Sequence, residues 1–143
     1  MTVAAILRSK GSDVATIAPD ATVETAVASL AAKRIGALVV SLDGRTGIGI
    51  LSERDVVRVL AERGTKALAM PVSAAMTAPI RTCRLEDDVP KVMAEMTRHR
   101  IRHLPVIEDG RLAGIISIGD VVKRRLDNLE SESSAMREYI AGR

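Results

Sequence analysis

The sequence predicts a mixed α/β (α+β) fold built from two tandem copies of one βαββα unit, flanked by a short N-terminal helix and a long C-terminal helix. The chain aligns with itself. Thr16–Val23 matches Thr82–Val89, Leu38–Arg45 matches Leu104–Arg111, Gly49–Ser52 matches Gly114–Ser117, and Asp55–Val57 matches Asp120–Val122. Self-similarity of this kind marks a repeated supersecondary unit that buries its apolar face against its neighbour. The register slips by one residue near Arg45-Thr46-Gly47, and a turn absorbs such a slip at little cost. Within each copy the apolar spacing switches between strand and helix periods.

The elements follow in order. Val3–Leu7 reads as a short leader helix. A strand over Ala15–Ile17 comes next, then a helix with Val23, Val27 and Leu30 on one face. Two apolar strands flank Asp43-Gly44, a strong hairpin signal because both residues tolerate positive φ. A second helix turns Val56, Val57 and Leu60 inward and ends at Gly64. Gly64 to Pro71 is a linker, and Val72–Met76 reads as a second leader helix. The second copy repeats the pattern, with a strand over Arg81–Cys83 and a helix bearing Val89, Val92, Met93 and Met96. Asp88 is its N-cap, and Pro90 is tolerated in its first turn. A hairpin at Asp109-Gly110 follows, then a helix from Asp120. Its tail carries Val122, Leu126, Leu129, Met136 and Ile140 at alternating four- and three-residue steps, as in a heptad seam. That seam packs on its own domain or against a second chain. The chain thus divides into repeats over 8–64 and 72–128 and a helical tail over 129–143, all within one module spanning 1–143.

The bulk numbers limit the function. The 143 residues suffice for one ordinary domain. Tyr139 is the only aromatic residue, so the core is aliphatic and a planar ligand must rest on aliphatic walls or backbone amides. The net charge of +3 comes from 21 basic and 18 acidic residues, an excess that admits an anionic ligand without demanding nucleic acid. Cys83 is the single cysteine, which excludes an intrachain disulfide and fits a reducing compartment. The apolar run Met1–Leu7 is too short for a signal core, and no stretch reaches the length of a membrane span. A cytoplasmic protein without membrane attachment is expected.

Two segments carry recognisable chemistry. Gly49-Ile50-Leu51-Ser52-Glu53-Arg54-Asp55 and Gly114-Ile115-Ile116-Ser117-Ile118-Gly119-Asp120 occupy equivalent places in the two copies. Ser at a strand end and Asp three residues later supply a hydroxyl and a carboxylate at a helix N-terminus. A carboxylate can accept both vicinal hydroxyls of a ribose, and a helix N-terminus favours a phosphate. The same spacing also fits an N-cap followed by an acidic first turn, with no ligand required. Arg98, His99, Arg100, Arg102 and His103 form a basic cluster, which is either solvated or turned to an anion. His99 and His103 have the spacing of a metal pair, but Ile101 and Pro105 place His103 beyond the helix end, and no metal is expected. No nucleophile, base and orienting acid can be assembled, so catalytic residues are not assigned. The glycines fit neither a P-loop nor a dinucleotide fingerprint. Cys83 reads as a small buried hydrophobe.

The paired Gly-x-x-Ser-x-x-Asp segments, the Arg102-His103-Leu104-Pro105-Val106 strand entry and the Val72–Thr77 leader resemble the CBS-domain pair, or Bateman module, in its free-standing bacterial form. The resemblance spans about Val14 to Leu126. It implies two repeats packed through their sheets with pseudo-twofold symmetry, two clefts between them, and a flat homodimer. It implies an adenine-nucleotide ligand, AMP first, then NAD(H) or ATP, and a regulatory role toward a partner protein that the sequence does not name. By this resemblance one cleft gathers Thr16, Val40, Arg102, His103, Ser117 and Asp120. The other gathers Thr82, Val106, Ala37, Ser52, Arg54 and Asp55. Asp55 and Asp120 would hold ribose, and Ser52 and Ser117 would assist at phosphate. Repeat 1 has Ala37-Leu38-Val39 where repeat 2 has His103-Leu104-Pro105, so the clefts should differ in ligand or affinity. Two other functions compete: a dimerising module with empty clefts, supported by the C-terminal seam, and a nucleic-acid binder, supported by the pI of 9.4 and the basic cluster but opposed by the lack of aromatic stacking platforms.

Overall fold

In the computed structural model, which describes residues 1–142, the chain begins with leader helix α1 (Val3–Lys10). The first repeat then runs β1 (Thr16–Ile17), α2 (Val23–Lys33), β2 (Ala37–Ser41), β3 (Gly47–Ser52) and α3 (Glu53–Arg63). A 3-10 helix (Gly64–Ala69) and the second leader α4 (Val72–Ala75) lead to α5 (Val89–His99), β4 (His103–Glu108), β5 (Arg111–Ser117) and α6 (Ile118–Ala141). The repetition extends to backbone detail. Helices α2 and α5 both end on an arginine in the left-handed region, Arg34 and Arg100, each at φ 54°. Each hairpin carries one register shift, after Val40 and after Val106.

The hairpins differ where the register slips. In repeat 2, Glu108 pairs directly with Arg111 across Asp109 (φ 51°) and Gly110 (φ 76°), the two positive φ values that suit the twist of adjoining strands. In repeat 1, Ser41 pairs with Gly47, and the longer loop closes on Asp43. The Asp43 carboxylate accepts from the Arg45 and Thr46 amides, both at 2.8 Å. Those amides hold its pKa down to about 2.

The first strand of repeat 2 departs from expectation. Repeat 1 has a three-stranded sheet in the order β1-β2-β3, with β1 parallel to β2. In repeat 2 the expected strand over Arg81–Cys83 shrinks to one bridge, Cys83 to Val106. The cause is Pro105. The Val39 amide donates to the Ala15 carbonyl at 3.0 Å in repeat 1, and the equivalent residue in repeat 2 is a proline with no N–H to give.

The leader helices are exchanged. Helix α1 precedes repeat 1 but buries Val3, Ile6 and Leu7 in the core of repeat 2, with Val89, Val92, Met96, Leu104, Val106, Ile116 and Val121. The Val3 amide donates to the Asp87 carbonyl at 2.9 Å, and the Val89 amide to the Met1 carbonyl at 3.0 Å. Conversely Ala67, Val72 and Ala75 precede repeat 2 but sit in the core of repeat 1, among Val23, Ala26, Leu30, Leu38, Leu51 and Val59. The exchange is reciprocal, as a local twofold between the repeats requires. Gly49 and Gly114 make room for it. A Cβ on Gly49 would lie 2.6 Å from the Met76 sulfur and 3.0 Å from the Thr77 carbonyl oxygen, and one on Gly114 would lie 2.7 Å from Leu7 Cδ1.

Two faces point outward. On α3 the buried residues are Asp55, Val56 and Val59, whereas Val57 and Leu60, expected inward, are 65% and 37% exposed. On α6 only Val121 is buried. The apolar seam of Val122, Leu126, Leu129, Met136 and Ile140 is exposed along its whole length, so it does not pack on its own domain.

Candidate functional site

Both Ser-x-x-Asp segments form capping boxes. Ser52 is the N-cap of α3 and Ser117 the N-cap of α6, each accepting from the amide of its aspartate while the aspartate accepts from the serine amide. The capping geometry explains these residue types locally, and the two sites then diverge.

Asp55 is enclosed. Its Oδ2 accepts from the Ser52 amide at 2.9 Å and the Ser52 hydroxyl at 3.1 Å. Its Oδ1 accepts from the Thr77 hydroxyl at 2.9 Å and lies 3.5 Å from Arg58 Nη2. Arg58 also donates to the Ala75 carbonyl at 2.9 Å. With 10% side-chain exposure, this carboxylate ties α3 to the α4 leader.

Asp120 is open by comparison, with 24% side-chain exposure. Its Oδ2 accepts from the Ser117 amide at 2.8 Å and from Lys10 Nζ at 2.6 Å. Among the described residues no donor reaches Oδ1. Burial alone would raise the Asp120 carboxyl, but the Lys10 ammonium and the Ser117 amide outweigh it and hold the group below the ordinary carboxylate value.

His103 and Ser117 are cross-strand neighbours, as are Ala37 and Ser52. The imidazole lies at the junction of the repeats. A Cβ on Gly36 would come 2.9 Å from its Cε1 and 3.0 Å from the Glu53 carboxylate. Burial lowers the His103 pKa. Glu53 and Asp120 oppose that shift, and Lys10 and Arg102 add to it.

The other expected residues are distributed differently. Val40 and Val106 are fully buried in the cores of their own repeats. Thr16 is half-buried on β1, paired with Val39. Thr82 is exposed and borders two open depressions of about 820 and 610 Å³. Neither threonine hydrogen-bonds to a capping aspartate among the described residues. Lys10, at the end of α1, and Thr77, just after α4, do so instead. Arg54 and Arg102, assigned to different clefts, line one shallow depression with Arg100 and Ile118. Arg54 Nη1 donates there to the Arg100 carbonyl across the repeats at 2.9 Å. His99 lies against Arg81 and Glu95, away from His103. No cluster of metal-ligating side chains occurs among the described residues. Cys83 is buried, and its thiol is pushed up to about 12, first by burial and then by the Asp87 charge.

Sequence reasoning missed Lys10, Thr77 and Glu53. The two leaders are visible as an echo of each other, and that echo placed the segments after them at equivalent positions. Nothing in the sequence said that these segments return to the capping aspartates.

Two βαββα units with exchanged leaders, and a capped Ser-x-x-Asp at the end of each hairpin, define a paired-repeat module with its candidate sites at the repeat junction. The CBS-domain family matches residues 3–62 and 72–127, and the chain belongs to it. A CBS-domain-containing protein of Agrobacterium tumefaciens is 46% identical, with 87% of this chain and 92% of that one aligned at a TM-score of 0.83. A CBS domain protein of Pyrobaculum aerophilum, solved in complex with AMP, is 29% identical over 84% of this chain and 89% of that one, at a TM-score of 0.74. A mitochondrial CBS domain-containing protein of Arabidopsis thaliana is 37% identical over 127 residues, 86% of this chain, which spans 62% of that relative's length. No helix among the described residues is long and apolar enough to cross a membrane.

Proposed function

We propose that this CBS pair is a regulatory module that binds an adenine nucleotide in the cleft holding Asp120 and transmits occupancy to a partner protein as a change in the arrangement of its repeats. The observation that carries this reading is the contrast between the two carboxylates. Asp55 is consumed by structural donors, while Asp120 keeps one oxygen clear of donors and its other oxygen under an exchangeable ammonium. A ribose diol needs such an acceptor. The N-terminus of α6 and His103, the cross-strand neighbour of Ser117, stand beside it for the phosphate. The AMP bound by the Pyrobaculum relative supports AMP as first ligand, with NAD(H) and ATP as the alternatives. Catalysis has no support, since no nucleophile and base converge here.

The test is to denature the purified protein, identify released small molecules by mass spectrometry, and titrate stripped protein with AMP, ATP and NAD⁺ by calorimetry. Stoichiometric binding that Asp120→Asn abolishes and Asp55→Asn spares supports the reading. No retained nucleotide and no heat with any of the three overturns it.

The exposed seam on α6 favours a second, compatible property. Val122, Leu126 and Leu129 present an apolar surface that a second copy would cover, giving a homodimer. If the clefts bind nothing, dimerisation is the function that remains.

A further inference from the structure

The two capping aspartates are satisfied by donors of different kinds. At Asp55 the incoming group is the neutral hydroxyl of Thr77, in a buried contact at 2.9 Å. At Asp120 it is the Lys10 ammonium, at 2.6 Å from Oδ2 and also 2.9 Å from the Ile115 carbonyl oxygen. The lysine is the last residue of α1, and its side chain is 33% exposed. Without ligand, therefore, the carboxylate suited to a ribose already carries a cation. A ribose can engage Oδ2 only if that ammonium leaves.

Leaving is inexpensive for Lys10. An ion pair this exposed contributes little, about a 1.5- to 5-fold effect on an equilibrium, and a flexible stem lets the ammonium swing. A nucleoside displaces it without compensation. A nucleoside 5′-phosphate brings a new anion beside His103 and the N-terminus of α6, and the released ammonium can pair with it. Charge-assisted contacts to phosphate are worth about tenfold or more.

We propose that Lys10 is the phosphate-selecting residue of the Asp120 cleft. It holds the ribose-binding carboxylate when no ligand is present and transfers to the ligand's 5′-phosphate when one binds, so the site discriminates nucleotides from nucleosides. This rests on the nucleotide reading of the cleft.

Calorimetric titration of wild type, Lys10→Gln and Lys10→Arg with AMP and with adenosine tests it, with Asp120→Asn as the control for the site. The expected result is that Lys10→Gln weakens AMP about tenfold and tightens adenosine about 1.5- to 5-fold, while Lys10→Arg keeps the wild-type ratio. Thermal melting confirms that each variant is folded. An AMP-to-adenosine ratio in Lys10→Gln that stays near the wild-type value overturns the proposal, whether both affinities hold or both fall together. That outcome, with AMP binding still dependent on Asp120, leaves the nucleotide reading intact. Wild type that binds neither ligand, or binds AMP equally well as Asp120→Asn, removes the nucleotide reading and this proposal with it.

Discussion

Gly49 and Gly114 occupy equivalent positions, and the same substitution at each should carry different costs. At Gly49 an added methyl meets the Met76 sulfur at 2.6 Å and the Thr77 carbonyl oxygen at 3.0 Å. The Thr77 backbone is fixed, because it exchanges two hydrogen bonds with Ile50, at 3.0 and 2.8 Å. Relief at this site therefore requires backbone movement. At Gly114 the methyl meets only side-chain atoms of Leu7, the nearest at 2.7 and 2.8 Å, and a side chain can rotate away. Overpacking costs about 1–3 kcal/mol, and Gly→Ala returns about 0.4–1 kcal/mol through the unfolded chain. Straining the Thr77–Ile50 pair adds about 0.5–1.5 kcal/mol for each bond lost. Gly49→Ala should therefore lose about 2–3 kcal/mol and Gly114→Ala about 1 kcal/mol. Urea unfolding followed by far-ultraviolet circular dichroism measures both. A double-mutant cycle adds a sharper check, since Leu7→Ala alone opens a cavity costing about 2–5 kcal/mol that the Gly114→Ala methyl partly fills. The double variant should lose less than the sum of the two single variants. If Gly114→Ala costs as much as Gly49→Ala, or if the cycle is additive, the view that these glycines exist to seat the leader helices is wrong.

Asp55→Asn should lose about 1.5–3 kcal/mol of stability, as expected for a buried charged acceptor deprived of its charge, while Asp120→Asn should lose less; equal losses in thermal unfolding would contradict the assignment of Asp55 to structure. His103 stays neutral in the folded chain at pH values where the unfolded imidazole, with its ordinary value of 6.5, is already charged. The unfolded state then binds more protons, so stability should fall as pH drops through 6.5 toward the folded value, and a slope that survives in His103→Gln would assign it elsewhere. The Cys83 thiol, near 12 and buried, should resist a disulfide reagent at about pH 8 in the folded protein and react at once in denaturant. Leu126→Glu and Leu129→Glu, both on the exposed seam, should leave the fold intact and shift sedimentation toward monomer; a wild type that sediments as monomer would remove the homodimer.

The repeats were legible because Leu38–Arg45 and Leu104–Arg111 combine the strand period with an Asp-Gly turn, and local chemistry dictates both. Two elements were misread for reasons of context. Pro105 was visible, but its effect on the first strand depended on which carbonyl would have needed its missing N–H. On α3 two adjacent valines left the inward face open to choice. The capping box at Ser52 orients the helix so that Val56 and Val59 are buried and Val57 is not. The site divides in the same way. The Ser-x-x-Asp positions could be read from the repeat, whereas the accessibility of each carboxylate depends on Lys10 and Thr77, which arrive from the exchanged leaders.

That exchange makes neither repeat a self-sufficient folding unit. A polypeptide carrying one repeat behind its own leader would have to lend the leader to a second copy, and two such chains would form a reciprocally swapped pair whose stability depends on concentration. Tandem duplication places both lenders on one strand and converts that bimolecular association into an intramolecular closure at high effective concentration. A protein engineer splicing the module should therefore keep Met1 and Thr2, which bond to repeat 2, and join before Met1 or after Ala141. A cut within Gly64–Ala69 would produce two halves that each lack a wall of their core.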